Sequence, residues 1–276
     1  MFLNGVLYSC EAWHGVTEAQ VSQIELVDNQ LLRKILCAHA KTPVEFLYLE
    51  TGALPVRFVI SSKRLNYLRH IHNIKEHELL KRVFSAQKEN PVKGDWYKLV
   101  KEDLNQLNIE ESVLEKQTKQ EAKTYIKQKV YVAATKYLKE KQSKHKKIDQ
   151  LFYSNLQVQE YIKSKTVNNK EAITLVALRS KTVRQIKDNF HGQFFEDKMC
   201  PLCKKFEDTQ KHCMECEELC TVRSKFGEHI EYNHINGSVT QQQEVAALFV
   251  SLLEAREELL LESLPGTFNT GPNHVP

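Results

Sequence analysis

The chain of 276 residues contains little glycine and little proline, with 9 and 7 residues respectively. Because these two residues form turns and interrupt helices, their scarcity favours long helices joined by few turns. Segments of alternating polarity, which are typical of β-strands, are nearly absent. No run of 18 apolar residues occurs, so the sequence predicts no membrane-spanning helix and no membrane partner. A glycine-rich phosphate loop is also absent.

The sequence lacks a secretory signal with a basic n-region and a small-residue cleavage site. Five of its seven cysteines lie within residues 200–220. Clustered cysteines without a secretory signal are more typical of metal binding than of disulfides. We therefore predict a reducing, intracellular location, either nuclear or cytoplasmic.

A candidate metal site begins at Cys200 and Cys203 and continues with His212 and Cys216, in the spacing C-x2-C-x8-H-x3-C. Thiolate and imidazole are the ligands that zinc prefers, and structural sites close with four of them. The cysteine pair fits a tight turn. His212 and Cys216 are four residues apart, so a helix continuing to about residue 232 would present both on one face. The predicted cofactor is one structural Zn²⁺.

Other ligand sets compete in the same region, because all of them use Cys216. One set is Cys200, Cys203, Cys213 and Cys216. Another is Cys213, Cys216, His229 and His234, which has the spacing of a DNA-binding two-Cys, two-His finger. Without a metal, Cys213, Cys216 and Cys220 would form one buried helix face as small hydrophobic residues. The spacing alone leaves these alternatives open.

Charge is distributed unevenly along the chain. Residues 61–190 carry 28 Lys and Arg against 15 Asp and Glu, a net charge of +13. Residues 1–60 have a net charge of −2, and residues 191–276 have a net charge of −7. A basic middle between acidic ends suggests a polyanionic partner, although a solvated lysine-rich face has the same composition.

The basic region contains two series of candidate phosphate contacts. One long helix is predicted over 112–141, and a second over 171–190. Spacing places the lysines of the first series on one flank, which suits contact with phosphates. The predicted nucleic-acid-binding residues are Lys116, Lys119, Lys123, Lys127, Arg179, Lys181, Arg184 and Lys187.

Capping signals mark several helix starts. Thr17 with Gln20 forms a capping box, Thr42 precedes Pro43 as a predicted N-cap, and Thr240 is predicted to begin the last helix. His70, His72 and His77 are interpreted as solvated. The predicted fold is all-α, a multi-helix bundle with a small zinc-knuckle segment near the C-terminus. The predicted domains are a helical region at 1–110, a basic helical region at 111–195, the zinc segment at 196–237, a helix at 238–263 and a disordered tail at 264–276.

An ordered series of short segments resembles one family. It comprises LLRKIL at 31–36, KTPVE at 41–45, LYLE at 47–50, PVRF at 55–58, NPVKGDWY at 90–97, VKEDL at 100–104, LRS at 178–180, NF at 189–190, CPLC at 200–203 and EDTQ at 207–210. The series resembles the C-terminal part of polyproteins from non-LTR, LINE-type retrotransposons, downstream of the reverse-transcriptase domain. Most of the chain is covered, although no single segment is diagnostic.

The resemblance implies a helical region that follows the polymerase, helps to hold template RNA or target DNA, and ends in a CCHC zinc knuckle. By position, Cys200, Cys203, His212 and Cys216 match that knuckle. The chain has no Asp-Asp pair, which the polymerase of such an element uses to hold its metal ions. The expectation is a truncated polyprotein without polymerase activity.

The predicted function is therefore a zinc-containing nucleic-acid-binding module and not an enzyme. Its predicted partners are RNA or DNA, together with a reverse transcriptase or another protein. The alternative is a structural or protein-interaction module in which zinc only stabilises the fold. A hydrolytic zinc would need an open coordination position, and the predicted ligand set is already complete.

Overall fold

The computed structural model describes residues 5–92, 94–187, 198–227 and 229–263. It is mostly helical, with twelve α-helices and no β-strand among these residues. The predicted all-α fold class is therefore confirmed. Across the described ranges, no helix combines the length and the apolar character needed to cross a membrane. The predicted tail at 264–276 lies outside the described residues.

The chain forms two compact units. Unit 1 comprises residues 1–35, 43–149 and 153–159, and unit 2 comprises residues 36–42, 150–152 and 160–276. The helices described in unit 1 are α1 Glu18–Ile35, α2 Val44–Thr51, α3 Val56–His72, α4 Leu79–Glu89, α5 Trp96–Leu107, α6 Glu111–Lys116 and α7 Lys119–Gln142. Those described in unit 2 are α8 Glu160–Lys163, α9 Asn169–Arg179, α10 Gln210–Glu215, α11 Cys220–Arg223 and α12 Val239–Glu262. The predicted domain boundary after residue 110 therefore falls inside unit 1.

The core of unit 1 is built around α3, which packs against α7 and α5. Apolar side chains recur at helical spacing on both α3 and α7, and those facing the core are buried: Val56, Leu65, Leu68, Ala122, Ile126 and Ala134. Burial of one large aliphatic side chain contributes about 1.5–3 kcal/mol relative to exposure, so this seam is a main source of stability. A buried ion pair between Arg64 and Asp103, 2.7 Å long, joins α3 to α5. The opposite face of α7 remains in solvent.

Local capping explains where several helices begin. Thr17 and Gln20 form the predicted capping box, with the Gln20 N–H donating to Thr17 Oγ1 at 3.3 Å. The predicted helix over 112–141 is in fact two helices. Thr118 caps α7, since its Oγ1 accepts from the Glu121 N–H at 3.3 Å while the Glu121 carboxylate accepts from the Thr118 N–H at 2.9 Å. The extended backbone of Thr118 separates α7 from α6, so Lys116 does not share a helix with the other three lysines.

Four further helix boundaries differ from the predictions. The N-cap of α2 is Pro43 rather than Thr42, and α12 begins at Val239 after Ser238, whose hydroxyl accepts from the Gln241 N–H. The predicted helix at 171–190 ends at Arg179, and the helix expected to continue to about residue 232 stops at Glu215. At α12 the side-chain cap of Ser238 decides the boundary, and at α10 the extended backbone of Cys216 does so.

Gly52 ends α2 in a left-handed backbone conformation, which glycine adopts more easily than other residues. Its φ of +65° lies in the left-handed region, which is costly for residues with a Cβ atom. A Cβ atom at this position would also collide with the backbone of Gln157 and Val158. Glycine therefore permits the segment at 157–159 to lie directly against the end of α2.

Unit 2 is organised around α12, which packs against α9, α8, α10 and α11. Leu248, Phe249 and Leu252 on this helix are buried. The segment that carries the clustered cysteines is thus supported on one side by the longest helix described in the unit.

Candidate metal centre

The first two candidate ligands lie in a tight turn at 199–207. The Cys200 N–H donates to the Phe206 carbonyl at 2.8 Å, and the Lys204 N–H donates to the Cys200 carbonyl at 2.9 Å. Lys204 has a φ of +55°, a left-handed conformation that reverses the chain direction within the turn. These bonds hold Cys200 and Cys203 on the same side of the turn, as the C-x2-C spacing predicts.

The other two candidate ligands flank α10. Thr209 caps this helix, and its Oγ1 accepts from the His212 N–H at 2.9 Å. His212 therefore lies in the first turn of α10. Cys216 follows the last helical residue and has extended backbone angles, φ −59° and ψ 128°. The prediction that His212 and Cys216 share one continuous helix is wrong by one residue, because α10 ends at Glu215. The two residues still lie one helical turn apart, and both reach the same cluster.

The structure brings together one sulfur each from Cys200, Cys203 and Cys216 and one imidazole nitrogen from His212. These four atoms all lie within 4.8 Å of one another. Cys203 Sγ and His212 Nε2 are 3.3 Å apart. Cys200 and Cys216 are fully buried, whereas Cys203 and His212 are partly exposed. The cluster could bind a metal ion, with two ligands on its inner side and two facing solvent.

Electrostatics within the cluster favours a bound cation. Burial opposes ionisation of Cys203, but hydrogen bonds from the backbone N–H groups of Lys205 and Phe206 outweigh it and lower the pKa of this thiol. Burial raises the pKa of Cys216 to about 12, and the nearby thiols of Cys200 and Cys203 act in the same direction. Several thiolates so close together repel one another, and a metal cation removes that repulsion.

The competing ligand sets are not brought together in the described part of the chain. Cys213 is fully buried beside Arg256, and it is not part of the four-atom cluster. His229 is exposed and lies 3.8 Å from Glu244, and His234 accepts from the Glu231 N–H. The metal-free interpretation also fails in part, because Cys220 is exposed instead of buried.

A buried ion pair supports the segment at 200–216 that carries the four candidate ligands. The sequence did not predict this pair. Asp208 Oδ2 lies 2.7 Å from Arg256 Nη2, and both side chains are almost completely buried. The same carboxylate oxygen accepts from the Lys187 N–H at 2.9 Å, and Arg256 also donates to the Gln185 carbonyl at 3.0 Å. Asp208 immediately precedes the cap of α10, so Arg256 fixes the start of the helix that carries His212. No local spacing signals a contact between residues 48 positions apart.

The predicted phosphate contacts have different surroundings. Lys119, Lys123 and Lys127 are exposed along α7, and Lys116 is exposed at the end of α6. Arg179 requires a correction: it is only 3% exposed and donates to the Ile235 carbonyl at 2.6 Å, so its charge is used inside unit 2. Of the remaining residues in its series, Arg184 is exposed, whereas Lys181 and Lys187 are partly buried.

His72 in unit 1 also differs from its prediction as a solvated side chain. Its side chain is 7% exposed, and its two ring nitrogens lie 3.2 Å from carboxylate oxygens of Glu111 and Glu115. Glu111 additionally accepts from Lys88 at 3.0 Å and from the Tyr97 hydroxyl at 2.7 Å. Each ring nitrogen faces a different carboxylate, an arrangement suited to an ion-pair network. The group links α3, α4 and α5 to α6.

Acidification is expected to remove the stabilising contribution of Glu111. Burial alone would raise the pKa of Glu111, but hydrogen bonds from His72, Tyr97 and Lys88 lower it to about 2. Because the folded-state pKa lies below the unfolded value, the contribution is present above about pH 4.5 and is lost as the pH falls towards 2. After allowance for solvent screening, we expect Glu111→Gln to cost on the order of 2 kcal/mol at neutral pH.

The measurement is urea unfolding followed by tryptophan fluorescence, since Trp13 and Trp96 both belong to unit 1. The difference between wild type and Glu111→Gln should shrink as the pH is lowered. Glu140→Gln is the control, because its carboxylate is exposed and 3.9 Å from Lys136. A difference that stays constant down to pH 2, or one equal to the control, would contradict the assignment.

No family model, curated protein or solved structure matches this chain. The resemblance to LINE-type polyproteins accordingly stays a prediction. The function is therefore inferred from the candidate metal centre and from the surface chemistry of the two units.

Proposed function

We propose that the chain is a zinc-containing nucleic-acid-binding module that holds RNA or DNA and has no polymerase activity of its own. The observation that carries this proposal is the exposed row of Lys119, Lys123 and Lys127 on α7. Residues four apart on a helix are separated by about 6 Å along its axis, so the row presents regularly spaced positive charges. α7 as a whole carries seven lysines and two glutamates. Such a helix face attracts a phosphate backbone without regard to sequence.

The ion proposed for the cluster is Zn²⁺, held by Cys200, Cys203, His212 and Cys216. Three sulfurs and one imidazole form a soft donor set that suits tetrahedral zinc. Four protein ligands leave no position for a reactive water, so the proposed role is structural and the chain is proposed not to be an enzyme. When bound, the ion would join the 199–207 turn to α10.

The origin that we propose is the region downstream of the polymerase in a LINE-type retrotransposon polyprotein. The ordered series of resembling segments supports it, as does the closeness of the four residues that match the CCHC knuckle by position. A nucleic-acid-binding role agrees with that origin. The charge and exposure of α7 support the role independently of ancestry.

Reversal of the lysine row provides the test. We expect Lys119→Glu/Lys123→Glu/Lys127→Glu to lower affinity for a 20-nucleotide RNA or DNA by at least about tenfold, because each reversal removes one phosphate contact and adds repulsion. The slope of log affinity against log salt should also become less steep by roughly two to three. Fluorescence anisotropy between about 50 and 200 mM salt measures both quantities.

The matched control makes the same change in charge elsewhere. Lys163, Lys165 and Lys225 are exposed lysines of unit 2, and their reversal to Glu should have a much smaller effect. Equal losses in the two triple variants would show that total charge alone governs binding. Wild-type protein that binds neither RNA nor DNA at about 50 mM salt would overturn the proposal.

A second candidate function is a protein-interaction module in which zinc only stabilises unit 2. The acidic character of residues 191–276, with a net charge of −7, favours it, because the metal segment would repel phosphates. The partner would be a reverse transcriptase or another protein. Under this alternative, partner binding would be unchanged by reversal of Lys119, Lys123 and Lys127.

A further inference from the structure

The lysine row on α7 continues beyond its third lysine without a change of spacing. Residues four apart on a helix follow one row that turns around the helix axis by about 40° per step. The members of this row are Lys119, Lys123, Lys127, Tyr131, Thr135 and Lys139. The first three are exposed lysines, whereas the last three line a groove. The basic row therefore leads directly into that groove.

The groove lies between α7 and residues 154–156, all within unit 1, and its volume is about 520 Å³. Its apolar surface comes from Val132, which is 64% exposed, together with Leu156 and the Tyr131 ring. Polar groups that could donate to or accept from a ligand surround it: Gln128, Lys136, Ser154 and Asn155. Apolar pockets with a few polar groups and volumes of about 300–1,000 Å³ are typical of small-ligand sites.

The chemistry of the groove matches a nucleobase. A base offers a flat apolar face for contact with an aromatic ring and a polar edge for hydrogen bonds. Tyr131 provides the ring. The Lys127 ammonium lies over it, 5.8 Å from the ring centre, and it would move towards the phosphates when a base contacts that face. The Glu140 carboxylate on the rim lies 3.9 Å from Lys136, so this end is less positive than the lysine row. Phosphates are therefore favoured along the row, and a base is favoured in the groove.

We infer that this groove accepts one unpaired base of a single-stranded nucleic acid whose phosphates follow Lys119, Lys123 and Lys127. The inference rests on the proposed function and names its substrate class. In a duplex each base is paired and stacked, so a duplex cannot place a base in the groove without breaking a pair. The protein should therefore prefer single strands to duplexes.

The test uses the full chain, a 12-nucleotide single strand and the duplex of the same sequence. We expect wild-type protein to bind the single strand at least about tenfold more tightly, and Val132→Glu to remove most of that preference, because a carboxylate would fill the groove with negative charge. Val92→Glu is the matched control: Val92 is also 64% exposed, also belongs to unit 1, and does not line the groove.

A second variant and a direct readout complete the design. Tyr131→Leu keeps an apolar side chain but removes the ring, and it should weaken single-strand binding several-fold more than duplex binding. A photoreactive 4-thiouridine in the strand should crosslink within the peptide containing Tyr131 and Val132. Absence of that crosslink, equal effects of Val132→Glu and Val92→Glu, or equal affinity for single strand and duplex would overturn the inference while leaving the proposed function intact. Failure of wild-type protein to bind either probe would defeat both.

Discussion

Removal of the proposed Zn²⁺ is expected to unfold the segment at 198–227. Few apolar side chains are buried among the described residues of this segment: Cys200, Cys213, Met214, Cys216 and Leu219. Two of them, Cys200 and Cys216, are themselves proposed ligands. Structural zinc sites contribute about 10–16 kcal/mol of apparent binding free energy at neutral pH, far more than these contacts can supply. The segment should therefore lose its hydrogen-exchange protection when a chelator removes the ion.

Single substitutions should locate the site within the crowded region. Cys216→Ser removes a fully buried ligand and should lower zinc affinity by at least about a hundredfold. Zinc per chain, measured by inductively coupled plasma mass spectrometry after dialysis, should fall from one to near zero. Hydrogen exchange of 198–227 should rise in parallel.

Cys220→Ser is the matched control, because Cys220 lies in the same segment but is exposed and outside the cluster. It should retain one zinc and normal protection. If Cys216→Ser keeps its zinc, or if Cys220→Ser loses as much as Cys216→Ser does, the assigned ligand set is wrong. His229→Ala adds a separate check on the finger-type set, and it should retain zinc.

Breaking the buried pair between Arg256 and Asp208 is expected to have the second-largest effect. Arg256→Met leaves the Asp208 carboxylate, which is fully buried, without its cation. Removal of one partner of a buried ion pair typically costs about 3–5 kcal/mol, because the remaining charge stays desolvated. Replacement of both residues, as in Arg256→Met/Asp208→Leu, should recover part of the loss because no buried charge remains. The recovery is incomplete because the hydrogen bonds of this pair to the Lys187 N–H and the Gln185 carbonyl are also removed.

Urea unfolding followed by far-ultraviolet circular dichroism, together with hydrogen exchange of α12, measures this effect. Lys170→Met is the matched control, because it breaks an ion pair between Lys170 and Glu254, a residue of α12 like Arg256. The side chains of Lys170 and Glu254 are 62% and 54% exposed. Exposed pairs contribute about 0–1 kcal/mol, so the control should be close to wild type. An Arg256→Met variant that loses no more stability than Lys170→Met would refute the role given to the buried pair.

Features that depend on residues a few positions apart could be predicted from the sequence. The all-α class followed from the scarcity of turn residues and strand patterns, and it is confirmed. The Thr17–Gln20 box and the end of α2 at Gly52 are likewise local. Thr118 with Glu121 carried the same type of capping signal, so the break between α6 and α7 was present in the sequence although it was not predicted.

The spacing of the cysteines and histidines restricted the metal site to three ligand sets but did not choose among them. The choice depended on the 199–207 turn and on the early end of α10, which together bring His212 rather than Cys213 to the cluster. Backbone hydrogen bonds across the turn hold Cys200 and Cys203 on the same side of it. Ligand spacing alone carries no information about those bonds.

The burial of charged residues that pack against distant parts of the chain could not be predicted from local patterns, because it depends on tertiary contacts. Arg179 has the same charge as the lysines of α7, yet it is buried because the Ile235 carbonyl, 56 positions away, accepts from it. Arg256 and Asp208 pair across 48 positions, and His72 meets Glu111 in another helix. Sequence patterns record neighbours along a helix, whereas these contacts arise from the packing of separate helices. A buried charge is tolerated only where folding brings it a partner.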